Sequence, residues 1–280
     1  MTAASPDARS ALAAGRARMS PRKRARLIRG IQYAVLVVLA VLLAVTADWA
    51  QLRAAFFDVD AIRALAPRLP RAALNTVIYT AAAFAFGISL GTVLALMRLS
   101  SVRPYRIIAT GYTEFFRGIP ALLVVFAFGY GVPAAFEIRF DSIVLTIAIA
   151  LGSVSAAYVS ETIRAGIQAV PKGQVEAARS LGMSSGATLR TVVIPQAFRI
   201  VLPPLTNELV LLLKDTSLVF GLGLTRDQLE LTKLGRDGIN QAGGGLTAVV
   251  VVGLCYLLIT IPLSSVTRWL ERTTGYKGHV

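Results

Sequence analysis

The sequence predicts an all-α protein that crosses a membrane several times, and three observations carry that prediction. Hydrophobic residues make up 55% of the 280 and charged residues only 16%, with a mean hydropathy of +0.65. Soluble domains carry about a quarter charged residues, so this balance suits lipid better than water. The apolar residues fall in separate runs, each close to the length a helix needs to cross about 30 Å of hydrocarbon. The 29 Lys and Arg, against 15 Asp and Glu, lie mostly between those runs. Such placement fits membrane topology better than nucleic-acid binding, the usual partner of a net charge of +14.

Residues 1–30 form a basic arm, expected to be disordered, with Arg22, Lys23, Arg24, Arg26 and Arg29 clustered at its end. Ile31 to Ala47 is the first apolar run. A cleaved signal peptide also has a basic region before an apolar one, but this run exceeds a usual signal core and Val45-Thr46-Ala47 is a weak cleavage site, so a retained helix is expected. Residues 48–70 read as a polar connector punctuated by Pro67 and Pro70. The second span is Leu74 to Met97, where Gly87 and Gly91 sit four residues apart and let a neighbouring helix approach, helped by Ala81, Ala82, Ala83 and Ala85. Arg98, Arg103 and Arg106 precede the third span, Ala121 to Phe136, and a short loop with Glu137, Arg139 and Asp141 leads to the fourth, Ser142 to Glu161. A fifth run, Leu205 to Leu224, is followed by a polar loop from Thr225 to Gly245. The sixth span is Leu246 to Val266, and residues 273–280 form a tail.

Counting Lys and Arg on alternate sides of these six spans places 20 on one side and 8 on the other, with Lys214 inside a span. The side richer in Lys and Arg is cytoplasmic by the positive-inside rule, which puts both termini and residues 162–203 in the cytosol.

Catalytic constellations are missing from the sequence. With one histidine, His279, no HExxH helix can form, and neither GxSxG nor GxxxxGK[ST] occurs. No enzyme activity is expected of the chain, and any work driven by ATP takes place on another. Cys255 lies in an apolar run and reads as a small buried hydrophobe. The intramembrane charges are more informative, because a charge in hydrocarbon costs several kcal/mol and faces a partner or a watery cavity. Glu208, Lys214 and Asp215 lie in or near the fifth span, and Glu161 closes the fourth. Lys214 and Asp215, adjacent on a helix, point about 100° apart. With Asn207, Thr216 and Ser217 they make a polar stripe that suits either a solute pathway or hydrogen bonding between helices.

The polar, basic stretch between Pro171 and Asp215 is the unusual part of the chain. A short helix, Val175 to Leu181, ends at Gly182, which can adopt the left-handed conformation of a C-cap. A second, Ser185 to Val193, has Ser184 or Ser185 as N-cap and Pro195 as its boundary. Two short helices joined at a glycine make a knuckle suited to docking a partner.

This stretch resembles the EAA loop of permease subunits of binding-protein-dependent ABC importers. The motif EAAxxxG, nine residues, then IxLP, is matched by Glu176, Ala177, Ala178, Gly182, Val192, Ile194 and Pro195, with only conservative departures at Val192 and Ile194. EFFRGIP at 114–120, ETIRAGIQAVPKGQ at 161–174, PQAFRIVLPPL at 195–205, LLKDTSL at 212–218, RWLER at 268–272 and LNT at 74–76 are similar to the polar amino acid uptake group. The likeness spans about residues 70–272, so the chain reads as a five-helix permease domain, 66–272, with an additional N-terminal helix and connector at 31–65. The resemblance implies that Glu176, Ala177, Ala178, Gly182 and Pro195 couple the permease to two cytosolic ABC ATPase subunits, which bind ATP and Mg; no cofactor is expected on this chain. It also implies a second permease subunit, identical or related, and an extracytoplasmic amino-acid-binding protein, in the bacterial cytoplasmic membrane. Glu161, Glu208, Lys214, Asp215, Thr216 and Ser217 are the candidate pathway residues for a polar or charged amino acid. An ATP-independent secondary transporter or channel is the alternative, and it leaves the knuckle without a purpose.

Overall fold

Prolines and glycines set most helix boundaries in this chain, and apolar runs fill the helices between them. The computed structural model describes residues 21–138, 140–240 and 245–274. Residues 1–20 of the basic arm, Arg139, residues 241–244 of the polar loop and residues 275–280 of the tail lie outside the described residues. Regular structure among those described is helical throughout, and the chain divides into two compact units, Met1–Arg53 and Ala54–Val280.

The first unit is built on α1 (Pro21–Thr46), none of whose residues is buried. Pro21 suits the first helical position because its missing N–H would have no partner there. The helix therefore takes in Arg22 to Arg29, starting ten residues before the apolar run rather than at its edge. Leu36, Val38, Leu42 and Leu43 are exposed along it, an apolar surface of the kind that hydrocarbon covers. A short helix, α2 (Trp49–Phe56), lies across the division between the units.

In the second unit the expected connector holds another short helix, α3 (Val59–Leu65), whose N-cap Asp58 accepts from the Asp60 N–H at 2.9 Å. Pro70 then opens α4 (Leu69–Leu99), whose 31 residues extend about 46 Å at 1.5 Å per residue. α5 (Arg103–Gly118) meets the following segment at 105°, the bend falling at Ile119-Pro120. That segment is α6 (Ala121–Phe126), a π turn (Ala127–Gly131) and α7 (Val132–Phe136), together the expected third span. α8 (Ile143–Gln168) starts at N-cap Ser142 and continues past Glu161. Then come α9 (Lys172–Ser180), α10 (Ser185–Thr188), a second π turn (Leu189–Val193), α11 (Ile194–Asp215), α12 (Leu231–Ile239) and α13 (Thr247–Thr274). Among the described residues four helices, α1, α4, α8 and α13, are long and apolar enough to cross a membrane, or five spans if the bent pair counts as one.

The fifth expected span differs most from its expectation. α11 begins at Ile194 rather than Leu205 and ends at Asp215, after which residues 216–221 tighten into a 3₁₀ turn. Pro195 does not bound a helix, because it sits in the first turn of α11, where no N–H is needed. The π turn before it widens the helix and leads into α11 without a break. Pro203 and Pro204 lie inside α11, where they cannot donate to the carbonyls of Arg199 and Ile200.

The core forms where α4 packs along α8. A Cβ added at Gly91 would fall 2.7 Å from Val159 Cγ1, one at Gly87 2.9 Å from Ser155 Oγ, and one at Gly152 2.8 Å from the Ala83 carbonyl. Glycine on both partners thus brings the two backbones together, as the spacing of Gly87 and Gly91 predicts. Of the four alanines only Ala83 is buried on this face; Ala81 and Ala85 are exposed. Tyr79, Val125, Ile147, Leu151, Leu212 and Val219 complete the cluster. Elsewhere Gly166 of α8 admits Val201 of α11, whose Cγ2 takes the place an added Cβ would need.

The described part of the expected polar loop, residues 225–240, is closely packed. Leu231, Leu234, Gly235 and Gly238, at i, i+3, i+4 and i+7, form one buried face of α12 against α13. Its N-cap is Glu230, fully buried, whose carboxylate accepts from the Thr232 N–H at 2.6 Å and from the Tyr256 hydroxyl at 3.2 Å. α4 clamps the preceding turn: Asn75 donates to the carbonyls of Asp227 and Leu229, both at 2.8 Å, and Tyr79 to that of Gln228 at 2.7 Å. Thr76 Oγ1 accepts from the Leu231 N–H at 3.2 Å.

Candidate functional site

The knuckle starts where Pro171 ends the turn after α8. α9 closes in a Schellman motif: the Gly182 N–H bonds the Arg179 carbonyl at 3.0 Å and the Met183 N–H that of Ala178 at 3.2 Å, with Gly182 at φ +85°. A Cβ at Gly182 would meet nothing within 4 Å, so the position needs glycine for its backbone angle rather than for space. Ser184 caps the next helix, accepting from the Ala187 N–H at 3.2 Å. Glu176, Ala177, Leu181 and Gly182 are exposed, whereas Ala178 is buried, and Val175 of the same helix packs against Val170, Val193 and Ala197. Leu181 is 85% exposed, an apolar side chain standing in water at the tip. Gln196 of α11 donates to the Gln174 side chain, which fastens α9 to the next helix. Arg179 donates to the Met183 carbonyl at 2.7 Å.

The predicted pathway residues do not all gather in one place. Glu208 and Asp215, seven residues apart on α11 and so on one face, line a cavity of about 260 Å³ with Ile119, Ala121, Leu151, Val154, Ser155, Tyr158, Leu211 and Leu212. Ser155 donates to the Glu208 carboxylate at 3.1 Å. The bend at Ile119-Pro120 delivers Ile119 and Ala121 to the cavity, and Arg117 stacks 5.7 Å from the centre of the Tyr158 ring. The cavity therefore offers two carboxylates, a phenol and apolar walls, with no Lys or Arg among its lining residues.

Glu161, Lys214, Thr216 and Ser217 lie outside that lining, each for a local reason. Glu161 is engaged by ion pairs to Arg98 of α4 and Arg164 of its own helix. Lys214 is exposed, turned away from Asp215 by the helical step of 100°. Thr216 is fully buried, its hydroxyl donating to the Leu213 carbonyl at 2.6 Å. Ser217 falls in the 3₁₀ turn beyond the helix, so its phase no longer follows α11. Asn207 is exposed. Sequence reasoning missed Ser155 and Tyr158, which lie among small and apolar residues of α8; their spacing of three was the available signal. It also missed Glu230, hidden in a stretch with the composition of a loop.

Residues 87–276 match the family model described as the binding-protein-dependent transport system inner membrane component. The probable glutamine ABC transporter permease protein GlnM of Bacillus subtilis is 37% identical over 201 residues, covering 71% of this chain and 89% of that protein. The glutamate/aspartate import permease protein GltK of Escherichia coli is 34% identical over 226 residues, covering 78% of this chain and 99% of its own. A solved structure of an amino acid ABC transporter with histidines aligns at TM-score 0.71 and 32% identity, covering 77% of this chain and 98% of that one. The chain, a transport component rather than an enzyme, thus belongs to the inner membrane components of binding-protein-dependent transport systems, among the permease subunits of amino acid ABC importers.

Proposed function

We propose that the chain pairs with a second permease subunit, identical or related, to form the pathway by which a polar or charged amino acid enters the cell. Two ATPase subunits dock on the knuckle from the cytosol, where both termini lie, and bind the ATP and Mg. An extracytoplasmic binding protein delivers the amino acid to the outward-open state. The observation that carries this reading is the knuckle: Glu176, Ala177 and Leu181 stand exposed on a turn fixed by the Schellman geometry at Gly182. A rigid projection transmits displacement, whereas a flexible loop would absorb it. Glu208 and Asp215 support the second half of the reading, since a cavity holding two carboxylates and no Lys or Arg suits the ammonium group that every amino acid carries.

Reconstitution with the ATPase and the binding protein tests it. A bulky residue in place of Gly182 abolishes uptake and ATPase stimulation while membrane insertion persists; wild-type rates in that variant overturn the coupling role. Single alanine replacements at Glu208, Lys214 and Asp215 separate pathway from scaffold. Loss of uptake is expected at Glu208 and Asp215, and unchanged rate and substrate preference in all three leave only a structural role.

A further inference from the structure

At the end of α4 far from the knuckle, Arg68, Arg71 and Arg226 surround a cavity of about 220 Å³. The near end of α4 carries Arg98, paired to Glu161 on the last turns of α8, from which the chain enters the knuckle. The 31 residues of α4 separate the two ends by about 46 Å, so this cavity and the knuckle open on opposite faces of a bilayer. By the alternation of the expected spans only 8 of the 29 Lys and Arg fall on the outer side, and three of them meet here, against the general bias of the chain.

Two elements hold them in place. Arg68 is the N-cap residue of α4 and Arg71 lies in its first turn, which carries no acidic residue. Arg226 opens the 3₁₀ turn 226–228, and Asn75 fastens that turn through its two 2.8 Å bonds to the Asp227 and Leu229 carbonyls. Arg71 Nε reaches the Asp227 carbonyl at 3.5 Å. Asp227 is the one carboxylate among the lining residues, and among the described residues none of the three arginines is ion-paired.

We propose that this cavity receives an acidic side chain of the extracytoplasmic binding protein, its carboxylate held between guanidinium groups; the inference rests on the transport function above. Planar guanidinium groups fit a carboxylate with two parallel hydrogen bonds. All three arginines are exposed, and in water such pairs contribute little, so a free amino acid gains small affinity there. A docked protein covers the cavity and excludes water, and arginines under such a cover become strong contributors to binding and to its rate.

The test uses the reconstituted permease–ATPase complex and the binding protein that supports wild-type uptake. Reversing two charges, Arg68→Glu with Arg226→Glu, raises the binding-protein concentration for half-maximal ATPase stimulation at least tenfold and flattens its dependence on salt. The maximal stimulated rate and the ATPase rate without binding protein stay at wild-type values. Arg68→Lys with Arg226→Lys, which keeps charge and loses the planar fork, gives a smaller shift. Should the reversed pair fail to assemble, Arg68→Gln with Arg226→Gln carries the same expectation. An unchanged half-maximal concentration overturns the proposal, as does a loss of direct binding of radiolabelled glutamine, arginine or glutamate to the complex without binding protein, which makes the cavity a solute site. If no binding protein stimulates the wild-type complex, the transport reading itself fails and this inference falls with it.

Discussion

Ser155 donates to Glu208 at 3.1 Å, and Ser155 is also the residue for which Gly87 leaves room, its Oγ lying 2.9 Å from where a Cβ on Gly87 would stand. The packing of α4 on α8 is thereby tied to the cavity carboxylate on α11. Gly87→Ala displaces the Ser155 hydroxyl and lowers uptake with a modest loss of stability. Ser155→Ala does the same, and the double variant is no worse than either alone, because both act through one hydrogen bond. Initial uptake rates in proteoliposomes decide it; additive losses point to two separate effects.

Gly91 admits Val159 rather than a polar group. An added methyl there must push Val159, whose Cγ1 would be 2.7 Å away, or the Ala156 carbonyl at 2.9 Å. Gly91→Ala therefore destabilises the protein by about 1–3 kcal/mol. Gly253, inside α13 with nothing within 4 Å of its Cβ position, is the control, and Gly253→Ala leaves the melting temperature in detergent at or slightly above wild type, as alanine favours a helix. Equal melting temperatures for the two variants contradict the packing argument.

Gly182 distinguishes a backbone requirement from a steric one. Its φ of +85° costs an ordinary L-residue about 1–2 kcal/mol, and asparagine less than alanine. Stimulated ATPase activity is thus expected in the order Gly, Asn, Ala. An asparagine variant as inactive as the alanine variant shows that the partner ATPase, not the turn, excludes the side chain.

Glu230 makes the segment around α12 sensitive to pH. Burial raises its carboxyl from 4.5 to about 7, although the Thr232 and Lys233 N–H groups and the Tyr256 hydroxyl pull the other way. A carboxyl whose pKa is higher folded than unfolded favours the folded state in its protonated form. That contribution is fully present below about 4.5, declines as pH rises through the range up to about 7 and is lost above it. The melting temperature falls by several degrees between pH 5 and pH 8, and Glu230→Gln, neutral throughout, flattens the curve. Parallel curves for the two proteins rule out Glu230 as the cause.

The parts of the fold that were legible in the sequence are those where one residue type has one physical use. Gly87 and Gly91 read as a close approach, and Gly182 as a left-handed cap, because no other residue fills those positions at little cost. Pro195 misled because proline both ends helices and begins them, and only the π turn before it settles which use applies here. α12 was hidden because Arg226, Asp227, Gln228, Glu230 and Lys233 give residues 225–233 the composition of a loop, although Leu231 and Leu234 are entirely buried. Of the residues lining the cavity, Glu208 and Asp215 were legible as charges in or near an apolar run. For their neighbours Ser155 and Tyr158 the spacing of three on α8 was the one local trace, since tertiary packing, which leaves little mark on the sequence, brings α8 to the cavity.

From Ser185 through the π turn to Asp215 the backbone remains helical, so the shoulder of the knuckle and the two cavity carboxylates lie on one shaft. The softened points along it are Pro203 and Pro204, inside α11, where ladder hydrogen bonds are missing. On such a shaft a twist applied at Ser185 swings Glu208 and Asp215 around the same axis. Both acids would turn together, as teeth on one key, and would open or hide their cavity in a single motion.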